Sequence, residues 1–423
     1  MVQFPFVTSA PGKVIIFGEH SAVYNKPAIA AALSLRTYLL VTKHDSDDII
    51  LEFPDIDFSY KWKKSDIPLK STISNKLHED DELNPELISS ITPLLSTINT
   101  KYHYTAAYTF LYLFVSLCSD SIPSGLTFTV RSTLPIGAGL GSSASISVCL
   151  TSAFSYLNNH IDEATFKSAD INLKDSPECS FIDSWSFIGE KCSHGNPSGI
   201  DNAVATYGGA VLFQRMSNSI PSVRTSMRNL PVLNLLLTNT KTPRSTSDLV
   251  SKVSKLIVDL PITSGLILDT MESIVKIAYN LMLRPFLDSE SKQKLLELIR
   301  INHGLLVSLG VSHPNLEKIK LLCDEFKVGE TKLTGAGGGG CAITLIDDDL
   351  VTPLKLENLI KEFDNLGFET FKTSLGGKGV GLLVTRDEKL LELMTVENFM
   401  SFKSRDEIEE SIGCLSVDEW RYW

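Results

Sequence analysis

The chain has 423 residues, 43% of them apolar and 21% charged, enough to bury a large core and to divide into two or three domains. A formal net charge of -11 argues against a nucleic-acid or anionic-membrane surface, while leaving room for a local basic pocket. Seven scattered cysteines without CxxC spacing predict neither a disulfide framework nor a zinc site. With no apolar signal core or Arg/Ser-rich leader at the N-terminus, the expected compartment is the reducing cytoplasm.

In chain order, residues 6–17 (FVTSAPGKVIIF) read as a short strand, a turn at Pro11-Gly12 and a second, strongly apolar strand. An Ala-rich run, Ala28–Leu33, flows into a β-like segment, Leu35–Thr42. Residues 43–90 are polar and predict a surface excursion, in which Lys61, Lys63 and Lys64 form a solvated edge. A helix over 102–118 precedes a strand at 126–132, and a second helix with a broad apolar stripe covers 142–157. A helix at 181–192 is followed by a Gly/Pro break at 194–199 and by strands at 203–213 and 232–238. After a basic turn at Thr240–Arg244, helical patterns occupy 245–260, 265–283, 290–309, 314–326 and 353–365. Strands at 341–346, 368–373 and 380–385 complete the pattern before an irregular polar tail. The order is that of an α+β protein in two domains, 1–225 and 226–423, and a cleft between domains is where small-molecule sites form.

Four segments carry chemical content. PIGAGLGSSAS at 135–145 alternates glycine with small residues and then enters a helix. Gly137, Gly139 and Gly141 permit tight turns, and with Ala138, Leu140, Ser142 and Ser143 they make a plausible phosphate cradle at a helix N-terminus. No GK[ST] follows, so this is not a Walker A loop, and a glycine-rich turn shielding a buried helix end is the plain alternative. PGKVIIFGEH at 11–20 puts Lys13 just past a turn, where it could reach an anion, and sets Glu19 and His20 after an apolar run. Glu190 and Asp201 flank a Gly/Pro turn; one carboxylate could bind a metal and the other orient or deprotonate an acceptor hydroxyl, although Asp201 could equally serve as a cap. KLTGAGGGGC at 332–341 contains four consecutive glycines, a run that points to close approach by a ligand or by the other glycine loop.

Together, PGKVIIFGEHSAVY at 11–24, PIGAGLGSSAS at 135–145 and KLTGAGGGGC at 332–341 resemble the kinases grouped around galactokinase, homoserine kinase, mevalonate kinase and phosphomevalonate kinase. GEHSAVY and the segment GEKCSHGNPSGIDNAVATYGG at 189–209 are similar to the mevalonate-phosphorylating branch, and the resemblance runs from Pro5 to about Val384. It implies a two-domain fold, with a ribosomal-protein-S5-domain-2-like N-terminal half, a left-handed βαβ unit at the phosphate loop and a ferredoxin-like C-terminal half. It implies ATP-dependent phosphorylation of the 5-hydroxyl of (R)-mevalonate in early isoprenoid and sterol biosynthesis. Asp201 then takes or orients the hydroxyl proton, Lys13 steadies the transferring group, and Ser143 and Glu190 hold Mg²⁺. Glu19 and His20 line the mevalonate side, Thr246 supports the catalytic pocket, and Gly337, Gly338 and Gly339 brace the phosphate loop from the second domain. A homodimer and feedback inhibition by farnesyl or geranyl diphosphate at the ATP site are further implications. The alternatives are a sibling kinase, which would need more basic groups at the acceptor than Lys13, and a silent nucleotide sensor, which would lack Asp201, Lys13 or a metal ligand.

Overall fold

The computed structural model describes residues 2–70, 82–167, 176–216, 222–227 and 230–423. Part of the polar stretch, 71–81, lies outside the described residues. The first strand, β1 (Phe6–Phe17), is continuous, and the expected turn at Pro11-Gly12 is instead a break in register against β2 (Pro27–Lys43). Pro11 pairs with Arg36 but Lys13 pairs with Ala32, so the irregularity is absorbed within the ladder as a bulge. It frees the Lys13 N–H to donate to the Leu140 carbonyl at 2.8 Å.

The polar excursion also contains order. β3 (Asp48–Phe53) and β4 (Phe58–Lys63) form an antiparallel hairpin that buries Ile49, Leu51 and Trp62 while Lys61 and Lys63 face solvent. The exposed charges concealed its period-two pattern. Next come α1 (Pro85–Ile91), α2 (Lys101–Leu117), β5 (Leu126–Ser132) and α3 (Ser142–Leu157). Phe110 and Phe114 of α2, Phe128 of β5 and Phe154 of α3 pack with ring centroids 5.2–5.8 Å apart, chiefly edge to face. That cluster fixes α3, and so the loop before it, against the sheet.

α4 (Pro177–His194) lies close to α3 because Gly189 meets Ser147: a Cβ on Gly189 would stand 2.8 Å from the Ser147 hydroxyl. Residues 203–207, expected as strand, belong to α5 (Ile200–Tyr207); β6 (Ala210–Gln214) starts later. The β-branched and alanine content there reflects packing of a short helix on small residues, since Ala203 and Val204 pack with Ala30 and Ala32 of β2. β7 (Val223–Met227) pairs with β6 and spans the residues at which the sequence pattern divides the chain.

The remaining elements are β8 (Leu233–Asn239), α6 (Thr246–Asp259), α7 (Pro261–Met282), α8 (Ser289–Ser308), α9 (Pro314–Phe326), β9 (Gly329–Leu333), β10 (Cys341–Ile346), α10 (Pro353–Asn365), β11 (Glu369–Leu375) and β12 (Gly381–Leu383). The antiparallel order β11-β8-β10-β9 joins the first half through β2, where Leu33 pairs with Leu375. One core crosses the junction, combining Val14, Ile16, Leu134 and Leu140 with Leu235, Ile343 and Leu375.

The expected irregular tail is instead ordered as α11 (Glu388–Leu393), α12 (Val396–Ser401), α13 (Arg405–Ile412) and β13 (Arg421–Tyr422). It packs Phe399, Ile408, Ile412 and Trp420 on Val7, Tyr38 and Leu40 of the first two strands. The apolar residues are spread among many charges, and they reach a common face only after the chain turns three times.

Candidate active site

The glycine loop at 137–141 alternates anchors and exposed glycines. Ala138 and Leu140 are buried in the shared core, whereas Gly137 and Gly139 are exposed. Gly139 (φ 77°) and Gly141 (φ 71°) occupy the left-handed region, which other residues enter only at a cost. Gly141 caps α3 without any side-chain hydrogen bond, so the first-turn N–H groups remain available to an anion.

Around this helix start stand the expected polar groups. Lys13 Nζ lies 3.3 Å from Asp201 Oδ2, with side chains 10% and 32% exposed. Its aliphatic stem runs past Gly141, where a Cβ would come within 2.8 Å of Lys13 Cγ. Asp201 sits in the first turn of α5, which is held from below: Asn202 Nδ2 donates to Asp183 Oδ1 at 2.6 Å, and Arg224 Nη1 donates to the Gly199 carbonyl at 3.1 Å. No feature of the sequence pointed to Asp183, Asn202 or Arg224 as supports.

Glu190 reaches the same place from α4. It is 3% exposed, and its Oε1 atom is buried with no hydrogen-bond partner. Burial, helped by the charge of Asp201, pushes its carboxyl up to about 7, against the opposing pull of the Ser143 hydroxyl and Lys13. Ser143 Oγ also lies 3.0 Å from His194 Nε2. An orphaned, buried carboxylate oxygen next to a hydroxyl suits a hard divalent cation whose other ligands come from phosphate and water. Among the described residues no group of three or more His, Cys, Asp or Glu could hold a metal alone.

The raised value has a consequence for stability in metal-free buffer. Below pH 4.5 both native and unfolded chains hold the proton; between 4.5 and about 7 the unfolded chain releases it while the native chain keeps it, so stability falls across that window and the loss is complete above 7. The rise from 4.5 to about 7 corresponds to about 3 kcal/mol. Glu190→Gln is therefore expected to melt above wild type at pH 8 in EDTA and level with it at pH 4.5, as read by calorimetry, while losing metal-dependent turnover. An equal difference at both pH values would contradict the assignment.

The second half contributes a buried strut. Lys332 Nζ pairs with Glu19 Oε1, both side chains being 0% exposed, and Asn302 Nδ2 donates to Glu19 Oε2 at 3.2 Å. Glu19, expected on the substrate side, thus lies beneath the site with both oxygens engaged. His20 follows it at positive φ (φ 61°, ψ -45°), an uncommon state for a non-glycine residue. Its Nε2–H donates to the Ala336 carbonyl at 2.8 Å, which fixes the tautomer, and burial holds its pKa below the ordinary histidine value. Thr246 is exposed at the start of α6, capped by Ser245, and among the described residues no hydrogen bond joins it to Lys13 or Asp201.

The four-glycine run is explained by protein atoms. Side-chain carbons at Gly337, Gly338, Gly339 and Gly340 would strike the Val311 carbonyl, Leu249, Thr242 and Arg244 respectively. Three of these partners belong to the turn and helix start at 242–249, so the run wraps that segment. Contact with the glycine loop at 137–141 then passes through Arg244 and through Cys341, whose Sγ donates to the same Ala138 carbonyl at 3.8 Å.

Residues 102–209 match the family model described as GHMP kinases N terminal domain, and residues 283–354 match GHMP kinases C terminal; the fold is that of this class of small-molecule kinases. The chain is 51% identical to a mevalonate kinase of Candida albicans, with 100% of each chain covered. It is 44% identical to a mevalonate kinase of Saccharomyces cerevisiae, over 98% of this chain and 97% of that one. The crystal structure of Methanococcus jannaschii mevalonate kinase superposes with a TM-score of 0.62 at 25% identity, covering 87% of this chain and 98% of that one. The chain belongs to the mevalonate kinase family.

Proposed function

We infer that this chain transfers the γ-phosphoryl group of ATP to the 5-hydroxyl of (R)-mevalonate, giving 5-phosphomevalonate and ADP. Family membership supplies the acceptor, and the observation that carries the mechanism is the Lys13–Asp201 pair, 3.3 Å apart beside the phosphate loop. A primary alcohol ionises poorly at neutral pH. With its oxygen set against both the Lys13 ammonium and the Asp201 carboxylate, its proton is held by or passed to Asp201 as the oxygen attacks phosphorus. Positioning and charge stabilisation account for most of the acceleration.

The N–H groups of the first turn of α3, with the Ser142 hydroxyl, take phosphate oxygens. Glu190 Oε1 and the Ser143 hydroxyl would hold Mg²⁺, which when bound offsets the negative charge of the phosphates. His20 lines the mevalonate side, and Gly337 and Gly338 keep the second loop in place. The loop is also suited to the diphosphate of farnesyl or geranyl diphosphate in competition with ATP. An exposed apolar strip at Val258, Leu260, Ile262 and Leu266 supports a homodimer. No helix among the described residues is long and apolar enough to cross a membrane, and seven free cysteines suit the cytoplasm.

The test is whether ADP release from MgATP requires mevalonate. The expected result is stoichiometric ADP and a monophosphorylated product, both abolished by EDTA. ATP hydrolysis at the same rate with and without mevalonate would overturn the inference.

A further inference from the structure

Arg244 has no part in the chemistry assigned above, yet its guanidinium lies where the two glycine loops meet. Nη2 donates to the Ala138 carbonyl at 2.9 Å and Nη1 to the Gly339 carbonyl at 3.4 Å. A Cβ on Gly139 would stand 2.5 Å from Nη2, and one on Gly340 would overlap Nη1 and Cζ. The planar fork therefore fills a slot that only glycine on either side leaves open. Among the described residues no carboxylate forms an ion pair with it, so its positive charge adds to the potential at the loop.

The carbonyl it holds determines more than a contact. In a trans peptide the C=O and the following N–H point in opposite directions. Arg244 fixes the Ala138 carbonyl, and the Lys13 N–H fixes the Leu140 carbonyl at 2.8 Å. The N–H groups of Gly139 and Gly141 consequently face away from both anchors. Two alternate peptide planes of the loop are thus set by groups on different elements, one from β1 and one from the turn before α6.

We propose that Arg244 is a positioning residue for phosphoryl transfer, stapling the phosphate loop to the second glycine loop so that the Gly139 N–H is oriented toward ATP before it binds. This rests on reading 137–143 as the phosphate cradle. A charge-assisted hydrogen bond is worth about 1.5–3 kcal/mol, or about 10- to 100-fold.

Arg244→Ala and Arg244→Lys are the variants, the second keeping the charge but not the fork. Both are expected to raise KM for MgATP at least about tenfold while KM for mevalonate stays near wild type. Added methylguanidinium should restore part of kcat/KM for MgATP in Arg244→Ala. Unchanged MgATP kinetics in both variants would overturn the proposal. So would a defect shared equally by both substrates, with a lowered melting temperature and no rescue, because that is loss of structure alone. The underlying reading is separately tested by amide hydrogen exchange of the wild-type protein: MgATP should protect 137–143, and absence of protection there would remove the cradle whatever the Arg244 variants do.

Discussion

Asp201→Asn is expected to lower kcat by about 10²- to 10⁴-fold, the range for a lost acid–base group, while leaving the affinity for MgATP close to wild type. Asn is nearly isosteric but cannot accept the hydroxyl proton, and it leaves the Lys13 ammonium without its 3.3 Å counter-charge. The fold around the substitution should hold. Asn202 and Asp183 anchor α5 independently of Asp201, through the 2.6 Å hydrogen bond, and the phosphate loop is tied to β1 by backbone atoms. Steady-state kinetics with calorimetric titration of MgATP separates the two effects. A variant that turns over like wild type would remove Asp201 from the mechanism; one that loses MgATP affinity in proportion to kcat would move it to the nucleotide side.

The second large effect is on stability. Lys332→Met should destabilise the protein by about 3–5 kcal/mol, the usual cost of removing one partner from a buried ion pair. Glu19 and Lys332 are both fully enclosed, and burial alone pushes the Glu19 carboxyl up and the Lys332 ammonium down; each charge is tolerated because of the other. With Lys332 gone, Asn302 is the one side-chain partner left to Glu19 among the described residues, and Glu19 must either take up a proton or carry a charge shut away from water. The double variant Glu19→Gln/Lys332→Met should recover most of the loss, since a neutral pair carries no such penalty. Urea unfolding midpoints at pH 7 measure both. Equal midpoints for wild type and Lys332→Met would show that the pair contributes nothing, and a double variant worse than either single one would show that packing outweighs charge.

Much of the site was legible because its chemistry is concentrated in short, unusual strings. Three alternating glycines before a helix of small residues predict a phosphate cradle beside the plainer reading of a turn over a helix end, and the helix at 142–157 has the bounds that its apolar stripe indicates. Glu190 and Asp201 were legible as carboxylates on either side of a turn, and the structure brings them to the same point as Lys13. What could not be read depends on contacts distant in sequence. Lys332 meets Glu19 across 313 positions, and Arg244 meets Ala138 across 106; no local pattern encodes either. The four-glycine run was recognised as a place of close approach, but the approaching group is the turn at 242–249. The hairpin at 48–63 and the helical tail were hidden for a different reason. Their buried residues alternate with charges that face water, and only the aromatic cluster and the first two strands reveal which face is covered. Residues 203–207 of the short helix at 200–207 carry a strand-like pattern because alanine, valine and threonine there serve close packing on the alanines of β2.

The most direct measurement is an acceptor panel. The purified protein is incubated with MgATP and, separately, mevalonate, phosphomevalonate, galactose or homoserine, with products read by mass and by phosphorus–proton NMR coupling. The expected result is one product, from mevalonate alone, with phosphorus coupled to the C5 protons. Turnover of another acceptor with none of mevalonate, or phosphorus attached elsewhere on mevalonate, would contradict the account.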